Sequence, residues 1–234
     1  MSYAPFFKVA SVCLILSLAA NSNRLPAQEP ISKQESSLPL VFEDSFETGS
    51  HRWETTHDDA WTLTDETTAN GSTNHFFAIN RRVSDYRPPH RSPHNIALIR
   101  GVEVEDFELV FRVKNTADTG GHRDCCVFFC YQDPANFYYV HLGASPDPHS
   151  GQIMLVDDAP RRALTDNQRK TGWDDEWHIV KLVRNSTTGK IAIYFDDMDQ
   201  PHMEITDKTF GRGRIGLGSF DDLNQFDDVE LRGK

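Results

Sequence analysis

The sequence predicts an all-β fold, an antiparallel two-sheet sandwich or jelly roll. Three observations carry this: short bursts rich in aromatic and β-branched residues, turn chemistry between the bursts, and no helical period long enough to compete. The first burst, 40–45, opens the folded part, and 61–65, 75–80 and 95–100 follow as short apolar runs broken by Gly, Ser, Asn and Pro. The run 107–114 alternates cleanly: Phe107, Leu109, Phe111 and Val113 make one apolar face, and Glu108, Arg112 and Lys114 mark the other as solvated. The runs 125–132 and 137–143 are joined by Asp133-Pro134-Ala135-Asn136, a tight turn by composition. A Pro- and Gly-rich loop from Pro146 to Gly151 leads to 152–156, and Asn185-Ser186-Thr187-Thr188-Gly189 joins 177–184 to 190–195. The strands 214–220 and 226–232 close the chain. About a dozen strands with no helix between them bury their apolar faces by stacking sheet on sheet.

The chain has 234 residues, with 24 Lys and Arg against 35 Asp and Glu, a formal net charge of −11. That balance argues against a nucleic-acid partner, whose phosphates are met by clustered cations, and against an anionic membrane surface. The long apolar stretch lies at the start: Lys8 precedes Val9 to Ala20, a run of the length of a secretory signal and too short to span a bilayer. Residues 1–20 are therefore expected to be a signal peptide, cleaved near Asn21 or further on near Ala27, and the protein to be secreted or periplasmic. Val12 before Cys13 suits a lipidation site poorly, so export without an anchor is expected. Residues 21–39, polar and carrying Pro26, Pro30 and Pro39, read as a flexible linker, and 40–234 as the domain.

Cys125, Cys126 and Cys130 share one apolar burst. On a strand Cys126 and Cys130 would face the same way, but at about 3.3 Å per residue they stand too far apart for a disulfide. Buried thiols are the expectation.

The segments Trp177 to Arg184, Lys190 to Asp197, Gly213 to Phe220 and Phe226 to Leu231 resemble the closing strands of concanavalin A-like lectin/glucanase domains, and Phe42 to Glu47 before Trp53 resembles their opening strand. Laminin-G-like modules, glycoside hydrolases and bacterial 3-keto-disaccharide hydrolase-like proteins share that pattern. The resemblance implies a curved jelly roll whose concave face meets a polysaccharide or oligosaccharide. It also implies a structural Ca²⁺ held by Asp44, the Gly49 carbonyl and Asp227, hard oxygen donors as calcium requires.

Fold does not fix activity, so the chemistry has to be read from residues. Glu103, Glu105, Asp106 and Glu108 superficially resemble the E-x-D-x-x-E strand of family 16 glycoside hydrolases, but Glu105 stands in place of the aspartate, and catalysis of that kind is not expected. Histidine is the richer signal. His94, His122, His141 and His149 fall near Arg81, Arg82, Tyr86, Arg87 and Arg123, and Phe137, Tyr139 and His141 share one strand face. Arg81, Arg82, Tyr86, His122, Arg123, Tyr139 and His141 are the candidate ligand-binding residues, with Trp173 as a stacking platform and Trp177 as core. If the domain is catalytic, as a glycoside hydrolase or polysaccharide lyase, His94, His141 and Tyr139 are the candidate acids and bases. A non-catalytic binding module and a structural adhesion domain are the competing readings.

Overall fold

Fifteen strands build two stacked antiparallel sheets in the computed structural model, which describes Met1 and residues 36–234. The expected signal peptide and most of the expected linker lie outside the described residues. No helix among the described residues is long and apolar enough to cross a membrane.

The strands are β1 (Leu40–Asp44), β2 (Trp53–Thr55), β3 (Trp61–Thr67), β4 (Thr73–Ile79), β5 (Asn95–Val104), β6 (Phe107–Asn115), β7 (Cys126–Asp133), β8 (Asn136–His141), β9 (Gln152–Asp157), β10 (Arg162–Ala163), β11 (His178–Asn185), β12 (Lys190–Phe195), β13 (Met203–Thr206), β14 (Gly213–Ser219) and β15 (Asn224–Gly233). One sheet runs β13-β12-β11-β6-β15-β4-β3, with β1 also paired to β15. The other runs β10-β9-β8-β7-β14-β5-β2. Every strand predicted from sequence is present with shifted ends. The three extra strands, β2, β10 and β13, are two to four residues long, too short to show a period of two.

The main core fills the space between the sheets. Phe107, Leu109, Phe111 and Val113 of β6 face Val127 and Phe129 of β7, with Tyr138 and Val140 of β8 behind them. Phe129 and Tyr138 stack at 5.1 Å, and Trp61 stacks on Phe77 at 4.6 Å. Each such ring, fully buried, contributes about 1.5–3 kcal/mol. The outward face of the seven-stranded sheet carries a second cluster, with Ile96, Cys126, Phe128, Phe137, Tyr139 and Met154 in it. This face is apolar because residues 80–94 cross it, and Tyr86 packs down on the cluster.

Two expectations change here. Cys126 and Cys130 do not share a face: Cys130 adopts φ 47, the register slips between Phe129 and Asp133, and its side chain turns into the main core while Cys126 stays outward. All three thiols are free and buried. The tryptophans exchange roles because β11 begins at His178. With His178 pointing inward, Trp177 is left outside, edge-on to Phe76 at 5.5 Å and under the Arg112 guanidinium. Trp173, the expected platform, packs against the main core, and its indole N–H donates to the Leu142 carbonyl at 2.7 Å.

Candidate functional site

The residues leading into β5, the start of β7, the end of β8 and the end of β14 meet at one end of the seven-stranded sheet. There they enclose an open cavity of about 800 Å³. Its floor is set by register. Cys126 pairs with His141, which places Asp124 beside the imidazole, and the two meet at 3.2 Å between Oδ2 and Nε2. Asp124 Oδ1 accepts from the Ser219 hydroxyl at 2.5 Å. His141 Nδ1 faces the His149 carbonyl at 2.9 Å. The His149 carbonyl can only accept, so Nδ1 carries hydrogen, and Nε2 and Asp124 Oδ2 share the remaining contact. Both side chains are buried.

Asp222 lies behind this pair. Its carboxylate accepts from the Asp124 amide at 2.6 Å and the Thr119 hydroxyl at 3.1 Å, and Arg82 reaches it at 3.4 Å. Burial first, and the Asp124 charge second, push the Asp222 carboxyl up to about 6.

The walls are built by loops. The turn Asp147 to Ser150 is closed by paired backbone hydrogen bonds and by the His149 amide donating to Asp147 Oδ1 at 2.6 Å, and it presents His149 and Ser150 to the cavity. Gly151 follows at φ 66, where an added Cβ would lie 2.7 Å from Pro146, so glycine is needed to bring the chain back into β9. On the opposite wall Phe220 contacts His141 at 5.1 Å and His94 at 5.9 Å between ring centres, and the Arg161 guanidinium lies over the Phe220 ring at 4.4 Å. Arg87 donates to the Ser84 and Tyr86 carbonyls, holding its own loop.

Of the residues singled out from sequence, Arg82, Arg87, His94, His122, His141 and His149 line the cavity. Tyr139 is 0% exposed; it shares the strand face of His141 but lies beneath the wall, and burial pushes its hydroxyl well up. Tyr86 packs under the same wall. Arg81 is exposed and outside the lining. Arg123 turns away from the cavity to Asp175 at 2.5 Å and Asp118 at 3.6 Å. Trp173 lies in the core packing described above. The sequence reading missed Arg91, Arg161, Phe220 and Asp124. Phe220 carried a signal, since it continues the outward phase of β14 after Gly216 and Gly218, whereas Arg161 sits in a polar loop with none.

Asp44, Gly49 and Asp227 occupy the corner where β1 meets β15. Asp44 accepts from the Phe46 amide at 2.9 Å and the Trp53 indole at 3.0 Å, and Asp227 from the Asn74 amide group at 3.0 Å and the Asp228 amide at 2.8 Å. Each of the four carboxylate oxygens thus accepts one protein donor and keeps a second lone pair, and the two carboxylates with the Gly49 carbonyl would supply part of the six to eight oxygens of a calcium shell. Among the described residues the group of ligand atoms gathered within 4.8 Å is Asp124, Cys126 and His141 instead. Burial and the neighbouring Asp124 hold the Cys126 thiol far above its ordinary range, and Asp124 and His141 satisfy each other.

No protein-family model matches the chain, and no curated protein matches its sequence. Solved structures share the fold. The carbohydrate-binding module CBM66 from Bacillus subtilis superposes with a TM-score of 0.53 at 18% identity, over 78% of this chain and 96% of that one. Cellulose-induced protein Cip1 gives 0.52 at 12% identity, over 83% and 98%. The GH43 protein BlXynB of Bacillus licheniformis gives 0.54 at 14%, over 82% of this chain and 39% of its own. At these identities the likeness is one of fold: the chain is an antiparallel jelly-roll sandwich of the kind used by these proteins.

Proposed function

We propose that this is an exported carbohydrate-binding domain of concanavalin A-like type, with its glycan held in the cavity beside His141. The observation that carries the reading is the cavity itself, about 800 Å³ and open to solvent. Its walls set the half-buried Phe220 ring among imidazole, guanidinium and hydroxyl groups, the mixture that matches a sugar's apolar C–H face and its hydroxyls. The fold supports the reading by analogy, because one of the structural neighbours is named a carbohydrate-binding module. The apolar run before residue 21 supports export, and N-terminal sequencing of the mature protein tests it.

A glycan-array screen followed by calorimetry tests the site. Phe220→Ala and His94→Ala should each weaken binding about tenfold or more, while Trp177→Ala, on the other sheet, leaves it unchanged. A glycan bound equally by all three variants would remove the cavity from the account.

The Asp124–His141 pair favours a second reading, a polysaccharide-degrading enzyme. A carboxylate–imidazole pair is a residue set of acid–base catalysis, and to pass a proton to a leaving oxygen the His141 ring would exchange its Nδ1 contact with the His149 carbonyl for that oxygen. Incubation with neutral and uronate polysaccharides, read by reducing ends and by the absorbance of unsaturated products, decides it. Turnover lost in His141→Gln supports catalysis, and tight binding without turnover confines the domain to recognition.

A further inference from the structure

The cavity concentrates cations in a chain whose formal net charge is −11. Arg82, Arg87, Arg91 and Arg161 all line it, together with four histidines. Arg82 has Asp222 at 3.4 Å. Arg87 is bonded to backbone carbonyls alone, and neither Arg91 nor Arg161 has an ion-pair partner among the described residues. The acids on the same walls do not compensate them. Asp124 faces His141, and Asp147 caps its own turn. Asp221 remains, one carboxylate near several cations.

Arg161 is the most exposed to this imbalance. Its Nε and Nη1 atoms are shut off from solvent with no well-aligned hydrogen bond, and the group beside them is the neutral, buried Tyr139 hydroxyl. The Phe220 ring beneath the guanidinium offsets part of the lost hydration through its π face. The guanidinium is half-buried and has no counter-charge among the described residues, so its remaining Nη2 edge is set to meet an anion. His94 reports the same field. Its ring is held below the ordinary histidine range first by burial and then by Arg87, Arg91 and Arg161, with Asp221 opposing.

We propose that the cavity selects an acidic saccharide and seats a uronate carboxylate against Arg161, with Arg87 and Arg91 at the mouth and Phe220 beneath. This rests on the carbohydrate-binding reading above and names its ligand class. Guanidinium groups meet a carboxylate through charge-assisted hydrogen bonds, with Arg161 contributing its accessible Nη2 and Arg87 and Arg91 adding charge, an attraction a neutral sugar lacks.

The test uses oligosaccharides of galacturonate, glucuronate and guluronate, each beside its carboxyl-reduced neutral counterpart, with sulfated oligosaccharides as a third arm. Calorimetry on the full domain should show at least one uronate oligomer bound, and its reduced counterpart bound about tenfold or more weakly. Arg161→Gln should lose about tenfold for the acid and nothing for the neutral form. The exposed Arg91→Gln, which carries no folding risk, should lose less, and Arg123→Gln, outside the cavity, should lose nothing. Equal affinity for acid and reduced forms, or binding of neutral sugars alone, overturns the acidic ligand while leaving the carbohydrate reading in place. Binding of sulfated forms alone overturns the carboxylate. Binding of no saccharide in any arm overturns both.

Discussion

Several arginines elsewhere on this domain meet carboxylates, whereas those gathered in the cavity, Arg82 apart, meet none among the described residues. Arg112 meets Asp228 at 3.2 Å, Arg123 meets Asp175 at 2.5 Å, Arg214 meets Glu54 at 2.9 Å and Arg232 meets Glu230 at 2.6 Å. In the cavity Arg82 alone has a carboxylate, at 3.4 Å, while Arg91 and Arg161 have none among the described residues. A second depression, about 390 Å³, has the opposite character: Glu43, Asp44, Glu47, Asp228 and Glu230 line it around Arg52. Other arginines outside the cavity, Arg52, Arg184 and Arg212, hold backbone carbonyls only, so what sets the cavity apart is that four arginines and four histidines line one concavity with few acids among them.

The strongest way to break this contrast is at the charge in the cavity that is fully matched. Asp124→Ala strands the buried His141 ring and the Ser219 hydroxyl, so it should cost about 3 kcal/mol or more in chemical denaturation. A loss below about 1 kcal/mol would mean that the pair is not a buried ion pair.

Titration gives the next largest effect, because two buried groups act in opposite directions. Burial and Asp124 raise Asp222 to about 6, so between about 6 and the ordinary carboxylate range the folded state binds a proton the unfolded chain does not, and stability rises as pH falls. Burial, with Arg169 adding, lowers His202 to about 4, so stability present above the ordinary histidine range is lost as pH falls through that window. Each effect is on the order of 2 kcal/mol. Melting temperatures measured from pH 7 to pH 4 should fall more steeply in Asp222→Asn than in the wild type, and less steeply in His202→Gln. The reverse order would overturn both directions.

Fold and site were unequally legible in the sequence. The period-two pattern of Phe107 to Val113 and the turn at Asp133 to Asn136 depend on neighbours in the chain, and both formed as read. His94, His122 and His141 were found because imidazoles near a polar loop are conspicuous by type. Tyr139 was misjudged because sharing a strand face with His141 does not reveal that residues 80–94 cross over it. Arg123 was misjudged because its partner Asp175 lies 52 residues away. Arg161 carried no local signal, since only the return of β9 into β10 brings it over Phe220.

Smaller effects sharpen the arginine comparison. Arg123→Ala, which removes a pair whose carboxylates are exposed, should cost about 1 kcal/mol, whereas Arg161→Gln should leave stability unchanged or raise it by up to about 1 kcal/mol. If Arg161→Gln destabilises more than Arg123→Ala, the cavity cation is compensated after all. The smallest effect is expected at the β1–β15 corner, where each oxygen of Asp44 and Asp227 holds one protein donor and keeps one lone pair, so added calcium should shift the melting temperature by little and EDTA should reverse the shift. A clear rise with calcium would show a metal site there.

The central claim, that the cationic cavity and not the acidic groove is the binding surface, is tested most directly by amide chemical-shift mapping with a bound oligosaccharide. Shifts should cluster at Ser84, Arg91, His94, His122, Arg161 and Phe220, and leave Glu43 to Thr48 and Asp228 to Glu230 undisturbed. Shifts confined to the groove, with the cavity amides unmoved, would contradict the account.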